Sequence, residues 1–331
     1  MAIVHAQTAA VRTVDYGPKS CYGSPIWSLD DYGQTAVLGH GSFGTVFKAL
    51  YYGTGESVAI KTLASSINQD AVLREAGLLV ACSGHRSVVQ LRAMSLDPAT
   101  DELSLVMEYV GPSLHDVLRY HRHARPFQEA DVRCVMRQLL AGAEHMHRCR
   151  VVHRDIKPEN VLVGADCVSV KICDLGLAMS MTQAPPYSRC GTRRYIAPEV
   201  LLGKPDYDAT VDAWSLGCVM AELFLGEPIF GGAEDDGDQL LRIFETLGVP
   251  DRRSWPAYYS MPLAGELLTL PSIPHRNRLR DMFPEHRLSR EGFQVLSGLL
   301  SCDADKRLSA TAALRHPWFT NNVDDAPESL F

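Results

Sequence analysis

The sequence predicts an α+β fold of two lobes, a small β-rich lobe followed by a larger helical one. Strand-like segments interrupted by one helical pattern extend over residues 32–110, whereas helical patterns dominate residues 111–319. A chain of 331 residues with 46% hydrophobic content can bury the core of one large domain or of two lobes. We therefore expect one bilobal domain over 32–319, with a loosely ordered N-terminal extension, 1–31, and a C-terminal tail, 320–331.

A glycine-rich segment joins the first two predicted strands. It comprises Leu38, Gly39, His40, Gly41, Ser42, Phe43, Gly44, Thr45 and Val46. Because glycine has no side chain, three glycines at this spacing let the backbone approach phosphate groups closely. Taken alone, the spacing is as common in ordinary turns and in dinucleotide-binding loops. The dinucleotide alternative needs a helix next, but β-prone residues 45–52 follow, which favours a β-ribbon over phosphates.

A lysine and a glutamate follow this ribbon. Lys61 ends the short strand Val58-Ala59-Ile60-Lys61, and Glu75 lies in a helical pattern over residues 72–79. A single lysine is usually a solvated surface residue, and the glutamate alone would be one exposed helical charge. Together they indicate a lysine that contacts the α- and β-phosphates of a nucleotide while it is paired with a glutamate.

The most informative segment is the polar run from His153 to Asn160, which is followed by Asp174 in Asp-Leu-Gly. Either motif alone is an ordinary polar loop or turn. In phosphoryl transfer, however, Asp155 would accept the proton of a substrate hydroxyl and Lys157 would steady the transferred phosphate. Asn160 and Asp174 offer the hard oxygen ligands that Mg²⁺ prefers. The spacing therefore predicts phosphoryl transfer.

These motifs together resemble those of eukaryotic protein kinases. The resemblance covers about residues 32–319 and extends to Ala197-Pro198-Glu199, Asp212 and Arg307, all in family order. It implies a protein serine/threonine kinase that uses ATP and Mg²⁺ as cofactors and acts on protein substrates. It also implies a buried ion pair between Glu199 and Arg307.

The resemblance assigns the adenine-binding residues to the last strand of the first lobe. Met107 would be the gatekeeper behind the adenine, and Glu108 to Val110 would present backbone groups to its edge. The same residues also fit a buried strand that ends at Gly111-Pro112. Both interpretations hold at once.

The alternative function for the whole chain is a catalytically silent kinase fold that serves as a scaffold.

Within the kinases, the chain resembles the cyclin-dependent kinase group and, inside it, the plant F-type branch. The segments Gly226–Phe230 and Asp238–Asp251 carry this likeness. Residues 71–75 lie where the group has its cyclin-contacting helix, but residues 65–70 do not match the usual sequence of that helix. A cyclin-like partner and simple packing of the helix on its own lobe both stay open. Another cyclin-dependent kinase or an RNA polymerase tail would be a fitting substrate.

Several departures from the family pattern concern regulation. Ser42 and Ser188 are the candidate phosphorylation sites. Ser188 lies in the activation segment, residues 174–199, where the adjacent Tyr187 and the more distant Thr182 are alternatives. Phe43 replaces the inhibitory tyrosine that many members carry. Met179 replaces one of three arginines that bind the activating phosphate, so phosphorylation of Ser188 should raise activity only modestly. Ile196 replaces the arginine of proline-directed members, which argues against a requirement for proline after the target residue.

Composition limits the partners and the compartment. A net charge of -7 gives no electrostatic reason to expect binding of nucleic acid or of a membrane surface. The sequence has neither a transmembrane-length apolar run nor a recognisable secretory signal. Nine cysteines without a Cys-x-x-Cys pair favour reduced thiols. We expect a protein of the cytoplasm, the nucleus or both.

Overall fold

The chain forms two compact units. The structure, a computed structural model, describes residues 29–41, 44–63, 69–97, 102–264, 276–321 and 330–331. The N-terminal unit comprises Met1–Val110 together with Asp174–Gly176, and the C-terminal unit comprises Gly111–Cys173 and Leu177–Phe331. The N-terminal unit is rich in strands and the C-terminal unit in helices, so the predicted α+β architecture is confirmed.

The N-terminal unit contains one antiparallel five-stranded sheet and one long helix. The strands are β1 Tyr32–Gly41, β2 Gly44–Tyr51, β3 Ser57–Leu63, β4 Leu91–Leu96 and β5 Leu103–Glu108, in the order β1-β2-β3-β5-β4. A 3₁₀ turn, Leu29–Asp31, precedes them. Helix α1, Gln69–Ala81, packs against β4 and β5.

Alternation of side chains along the strands builds the core of this unit. Phe47 and Ala49 on β2 point to the same face, because side chains two positions apart share one side of a strand. They pack with Val58 and Ile60 of β3 and with Val106 of β5. This packing fixes the register of β3, and the register places Lys61 opposite Leu105.

The C-terminal unit is mainly helical. Its helices are α2 Leu114–Asp116, α3 Glu129–Arg148, α4 Pro198–Leu201, α5 Thr210–Leu225, α6 Asp236–Leu247, α7 Leu279–Met282, α8 Arg290–Leu299, α9 Ala310–Leu314 and α10 Pro317–Thr320. Shorter helical turns are Val117–His121, Pro158–Asn160, Arg193–Tyr195, Pro256–Ser260 and Ala304–Lys306. Two small ribbons pair β6 Val151–Val152 with β9 Met179–Ser180, and β7 Val161–Val163 with β8 Val170–Ile172. Within the described ranges, no helix is long and apolar enough to cross a membrane.

Helices α3 and α5 form the centre of this unit. Helix α5 is apolar around most of its circumference, and nearly all of its residues are buried, as expected for a helix surrounded by protein. Helix α3 is amphipathic and packs against it. The chain leaves α3 through β6 into the polar run that begins at His153, and Asp212 lies in the first turn of α5. The two helices thus fix the loop that carries Asp155.

The predicted ion pair between Glu199 and Arg307 is confirmed. The guanidinium of Arg307 donates to both carboxylate oxygens of Glu199, at 2.7 Å each, and both side chains are fully buried. Its remaining N–H groups donate to the carbonyl oxygens of Ser301, Thr210 and Cys302. All five guanidinium N–H groups therefore have acceptors, which is what a buried arginine requires.

We expect Arg307→Ala to destabilise the protein by about 3 to 5 kcal/mol, because the carboxylate of Glu199 would remain buried without its partner. The matched control is Arg276→Ala, which removes an arginine that is 77% exposed and paired with the exposed Asp281. An exposed pair of this kind contributes about 0 to 1 kcal/mol. Urea unfolding of the two variants beside wild type measures the difference. Equal unfolding midpoints for both variants would contradict the structural role of the buried pair.

Candidate active site

The glycine-rich segment forms an antiparallel β-ribbon, as predicted. Strands β1 and β2 pair from Tyr32 opposite Tyr51 to Gly41 opposite Gly44, and Ser42 and Phe43 at the tip lie outside the described residues. The ring of His40 is hydrogen bonded to the hydroxyl of Thr45 across the ribbon, at 3.1 Å. A strand, not a helix, follows the glycines, which excludes the dinucleotide-loop alternative.

Lys61 lies at the centre of a three-residue charge cluster in the N-terminal unit. Its Nζ donates to both carboxylate oxygens of Glu75, at 2.8 and 2.9 Å, and to Oδ1 of Asp174, at 2.8 Å. Lys61 and Glu75 are buried, whereas the side chain of Asp174 is 40% exposed. The predicted pairing of Lys61 with Glu75 is confirmed. The cluster is open to solvent on the side of Asp174.

Electrostatics keep this lysine charged. Burial by itself lowers the pKa of Lys61, but the carboxylates of Glu75 and Asp174 outweigh burial, and the net pKa lies above its ordinary value. A permanently cationic ammonium beside a half-exposed carboxylate suits the binding of phosphate oxygens and of a metal ion.

Gly176 lies close to all three charged groups. A Cβ at this position would lie 3.2 Å from Oδ1 of Asp174, 3.4 Å from Nζ of Lys61 and 3.5 Å from Oε2 of Glu75. Of these three distances, only the one to Asp174 is tighter than an ordinary contact, so glycine leaves room there for the carboxylate of Asp174. Leu175 is fully buried and needs only to be apolar, so leucine at the centre of Asp-Leu-Gly leaves the cluster intact.

The predicted adenine-binding strand is β5. Met107 is buried on it, and the backbone N–H of Glu108 donates to the carbonyl oxygen of Gln90 at 3.1 Å. This N–H group is therefore not available to a base. The ring of Tyr109 lies against Nζ of Lys48, 4.1 Å from the ring centroid. Val110 ends the N-terminal unit.

In the C-terminal unit, Asp212 anchors the loop that contains Asp155. Its carboxylate accepts the backbone N–H groups of His153, at 2.9 Å, and Arg154, at 2.8 Å, and also Nε2 of His147, at 2.8 Å. Asp212 is completely buried, which raises its pKa, but these hydrogen bonds and the histidines lower the net pKa below its ordinary value. Arg154 adopts the left-handed conformation, with φ of 67°. The two backbone hydrogen bonds stabilise this unfavourable geometry.

Asp155 is held by its neighbours on both oxygens. Oδ1 accepts the backbone N–H of Thr192 at 2.8 Å. Oδ2 lies 2.9 Å from Nζ of Lys157 and 3.2 Å from Nδ2 of Asn160. Lys157 also donates to the hydroxyl of Thr192 at 2.7 Å, so it bridges the loop and the activation segment. The arrangement fixes a buried carboxylate in one orientation.

The predicted metal ligands are Asn160 and Asp174. Asn160 uses Nδ2 for its bonds to the carbonyl oxygen and Oδ2 of Asp155, so its amide oxygen faces away from Asp155. An amide oxygen and a carboxylate are hard ligands that suit Mg²⁺, which takes few protein ligands and keeps waters and phosphate oxygens. The described residues contain no cluster of three or more His, Cys, Asp or Glu side chains that would form an all-protein cage. Asn160 in the C-terminal unit and Asp174 in the N-terminal unit each carry an oxygen of the kind that Mg²⁺ prefers.

Two residues that contact the activation segment were not identified by sequence reasoning. Tyr207 donates its hydroxyl to the carbonyl oxygen of Ser188 at 2.7 Å, and Asp236 binds the guanidinium of Arg189 with both oxygens. Neither belongs to a recognised motif. The hydroxyl-bearing residue predicted for phosphorylation, Ser188, is exposed.

Comparison with known proteins agrees with these geometries. The family model described as protein kinase domain matches residues 32–319. The chain belongs to the protein kinase family, and it is a serine/threonine protein kinase.

Its particular relatives include cyclin-dependent kinases of plants. The chain is 46% identical over 310 residues to the putative cyclin-dependent kinase F-2 of Oryza sativa subsp. japonica, covering 91% of this chain and 93% of that protein. It is 35% identical over 311 residues to cyclin-dependent kinase G1 of Arabidopsis thaliana, covering 88% of this chain but only 49% of that longer protein. It is 34% identical over 299 residues to the serine/threonine-protein kinase ppk23 of Schizosaccharomyces pombe, covering 88% of this chain and 73% of that protein. The predicted resemblance to the cyclin-dependent kinase group and its F-type branch is confirmed.

We expect Lys61→Met to remove the charge that is predicted to bind phosphate oxygens. The variant should lower kcat/KM by about a hundredfold or more, the usual effect of losing one such electrostatic contact. The matched control is Lys171→Met on β8, where the side chain is half-buried and outside the cluster. Steady-state kinetics with ATP and a protein substrate measure both variants, and thermal melting checks their folding. A folded Lys61→Met protein with the wild-type rate would refute the assignment.

Proposed function

We propose that residues 32–319 transfer the γ-phosphate of magnesium-bound ATP to serine or threonine hydroxyls of proteins. The observation that carries this proposal is the fixed carboxylate of Asp155, with the ammonium of Lys157 only 2.9 Å from its Oδ2. A loose phosphoryl-transfer transition state needs a positioned hydroxyl and neutralised phosphate charge, and it needs little covalent chemistry from the protein.

Asp155 and Lys157 have complementary roles in this proposal. Asp155 orients the substrate hydroxyl and accepts its proton, because the hydrogen bonds from Thr192 and Asn160 leave its carboxylate in one orientation. Lys157 carries a positive charge beside this carboxylate and stabilises the negative oxygens of the phosphate being transferred. Thr192 holds both residues through its backbone N–H and its hydroxyl.

The nucleotide is assigned to residues of the N-terminal unit. Lys61, oriented by Glu75, binds the α- and β-phosphates, and the glycine-rich ribbon covers the phosphates with its backbone. Met107 lies behind the adenine. Val110 presents its backbone to the adenine, and Glu108 presents its carbonyl oxygen, because its N–H group is bonded to Gln90. Asn160 of the C-terminal unit and Asp174 would hold magnesium, which would neutralise charge on the phosphates when bound. The scaffold alternative gains no support, because every charged residue that the reaction needs is present and paired.

A cyclin-like partner is not needed to form the Lys61–Glu75 ion pair in this proposal. Helix α1 already buries Val72, Ala76 and Leu79, and Glu75 already reaches Lys61. Of the two explanations for the apolar face of this helix, packing within its own unit therefore has direct support. A cyclin would then adjust substrate choice. Catalytic activity found only after addition of a cyclin would contradict this view.

The substrate is a protein, and we propose another cyclin-dependent kinase or an RNA polymerase tail as its identity.

Selection of proline directly after the phosphorylated residue is not expected. Gly191 in the activation segment has φ of +103°, a conformation that strains other residues but not glycine. In proline-directed members an arginine at the position of Ile196 compensates for strain in this part of the backbone. With glycine at position 191 there is no such strain to compensate, so the arginine is not needed.

We expect the purified single chain to phosphorylate protein substrates and Asp155→Asn to lose at least about a hundredfold in kcat, the lower end for a general base. Asp305→Asn, the same change at an exposed position, should keep the wild-type rate. Transfer of labelled phosphate from ATP to a cyclin-dependent kinase and to an RNA polymerase tail measures this. Equal signals from wild type and Asp155→Asn would exclude the catalytic role.

We expect peptide substrates with proline or alanine directly after the target serine to be phosphorylated with kcat/KM values that agree within about threefold. The reason is that glycine relaxes the backbone where proline-directed kinases store strain. A paired-peptide assay at equal concentrations measures the ratio, and a peptide with alanine in place of the target serine is the blank. A strong preference for the proline peptide would show that the activation segment selects proline although Ile196 replaces the arginine.

A further inference from the structure

The activation segment is held in the C-terminal unit by a tyrosine that lies outside it. Tyr207 is 3% exposed and lies between α4 and α5. Its hydroxyl donates to the carbonyl oxygen of Ser188 at 2.7 Å and accepts from Nη1 of Arg154 at 3.0 Å. Its ring packs edge-on against the ring of Tyr187, with centroids 5.4 Å apart. One phenol thus joins the segment to the loop that carries Asp155.

The chemistry of this hydroxyl matches the needs of both partners. A phenol has one proton to donate and lone pairs to accept with, so it satisfies the carbonyl oxygen of Ser188 and the guanidinium of Arg154 at the same time. Burial raises the pKa of Tyr207 and the adjacent Arg154 lowers it, with a net rise, so the hydroxyl keeps its proton. Nε of Arg154 donates to the carbonyl oxygen of Leu177 at 2.8 Å. Arg154 is therefore partnered without a phosphate.

Further contacts hold the same stretch on either side of Ser188. The backbone N–H of Tyr187 donates to the carbonyl oxygen of Pro205 at 2.8 Å. The guanidinium of Arg189 binds both oxygens of Asp236 at the start of α6, and Nε of Arg193 lies 3.3 Å from one of them. A bidentate arginine–carboxylate pair adds geometric specificity to its energy.

The position of this stretch matters for the reaction because it leads directly to Thr192. A Cβ at Gly191 would lie 2.5 Å from the carbonyl oxygen of Arg154, so the backbone of the segment rests against the backbone of the loop. The next residue, Thr192, donates to Asp155 and accepts from Lys157. A displacement of the segment at Ser188 would therefore disturb both residues proposed to act on the substrate.

We propose that Tyr207 is a positioning residue that orders the activation segment through Arg154 and Ser188, so that the enzyme is active without a phosphate on that segment. This inference rests on the proposed kinase function. Tyr207 gives Nη1 of Arg154 an oxygen acceptor when no phosphate is present on the segment. Addition of a phosphate at Ser188 then brings little further order.

The test uses the full chain after phosphatase treatment, with intact mass confirming that no phosphate remains. Tyr207→Phe removes only the hydroxyl, and a hydrogen bond to a charged group corresponds to about tenfold or more in an equilibrium. We expect Tyr207→Phe to lower kcat about tenfold at unchanged KM for ATP. We also expect trypsin to cleave after Arg189 and Arg193 about tenfold faster, because the segment opens more often.

The control is Tyr187→Phe, which keeps the same ring pair and loses a hydroxyl bonded to the carbonyl oxygen of Gln183 at 2.9 Å. It should match wild type in both measurements. Added to Tyr207→Phe, Ser188→Glu should raise the activity severalfold, because Arg154 has lost its tyrosine acceptor there and can bind the new carboxylate. Added to wild type, Ser188→Glu should raise the activity by less than about twofold.

Kinetics and cleavage distinguish two kinds of failure. If Tyr207→Phe equals Tyr187→Phe in rate and in trypsin cleavage, the positioning role is wrong even though the kinase is active. A wild-type chain that is inactive until Ser188 is phosphorylated also overturns the proposal. If no form transfers phosphate, the proposed function fails, and the cleavage rates alone decide whether Tyr207 orders the segment.

Discussion

The buried carboxylate of Asp212 is the contact on which the geometry of the catalytic loop depends. Its two oxygens accept the backbone N–H groups of two successive residues, His153 and Arg154, and a third hydrogen bond from His147 keeps the carboxylate oriented. Because α5 is packed on all sides, its first turn cannot shift without disturbing the core. The loop therefore takes its position from the buried helix α5, and Asp155 follows Arg154 directly.

Much of the fold and part of the site could be predicted from the sequence because their signals are local. The glycine spacing and the β-prone residues after it identify a ribbon, and the family order of motifs pairs Lys61 with Glu75. By contrast, Tyr207 and Asp236 act on the activation segment through folding that brings distant positions together. A tyrosine before a helix and an aspartate at the start of another helix are ordinary in any sequence. Their roles depend on tertiary contacts, which spacing along the chain does not encode.

Two buried cations in this protein, Arg307 and Lys61, differ in the solvent exposure of their carboxylate partners. Arg307 is fully enclosed, and its partners are all protein oxygens, so its charge serves the fold. Lys61 is equally paired, but one of its carboxylates, Asp174, is 40% exposed. A charge cluster with an accessible member can exchange a protein contact for a ligand at moderate cost, whereas an enclosed one cannot. The same ion-pair chemistry thus supports the fold at Arg307 and, in the proposed function, serves phosphate binding at Lys61.

The backbone contact between Gly191 and the carbonyl oxygen of Arg154 has a consequence for how such enzymes diversify. Since no side chain lies between Gly191 and the carbonyl oxygen of Arg154, the distance between the activation segment and the catalytic loop is set by the peptide backbone itself. The exposed side chain of Arg194 is then free to vary without changing that separation, whereas Ile196 is buried beside the contact. Substitutions at such positions can change substrate preference while the distance between the backbones at Gly191 and Arg154 is preserved. Substrate recognition and catalysis can therefore evolve independently.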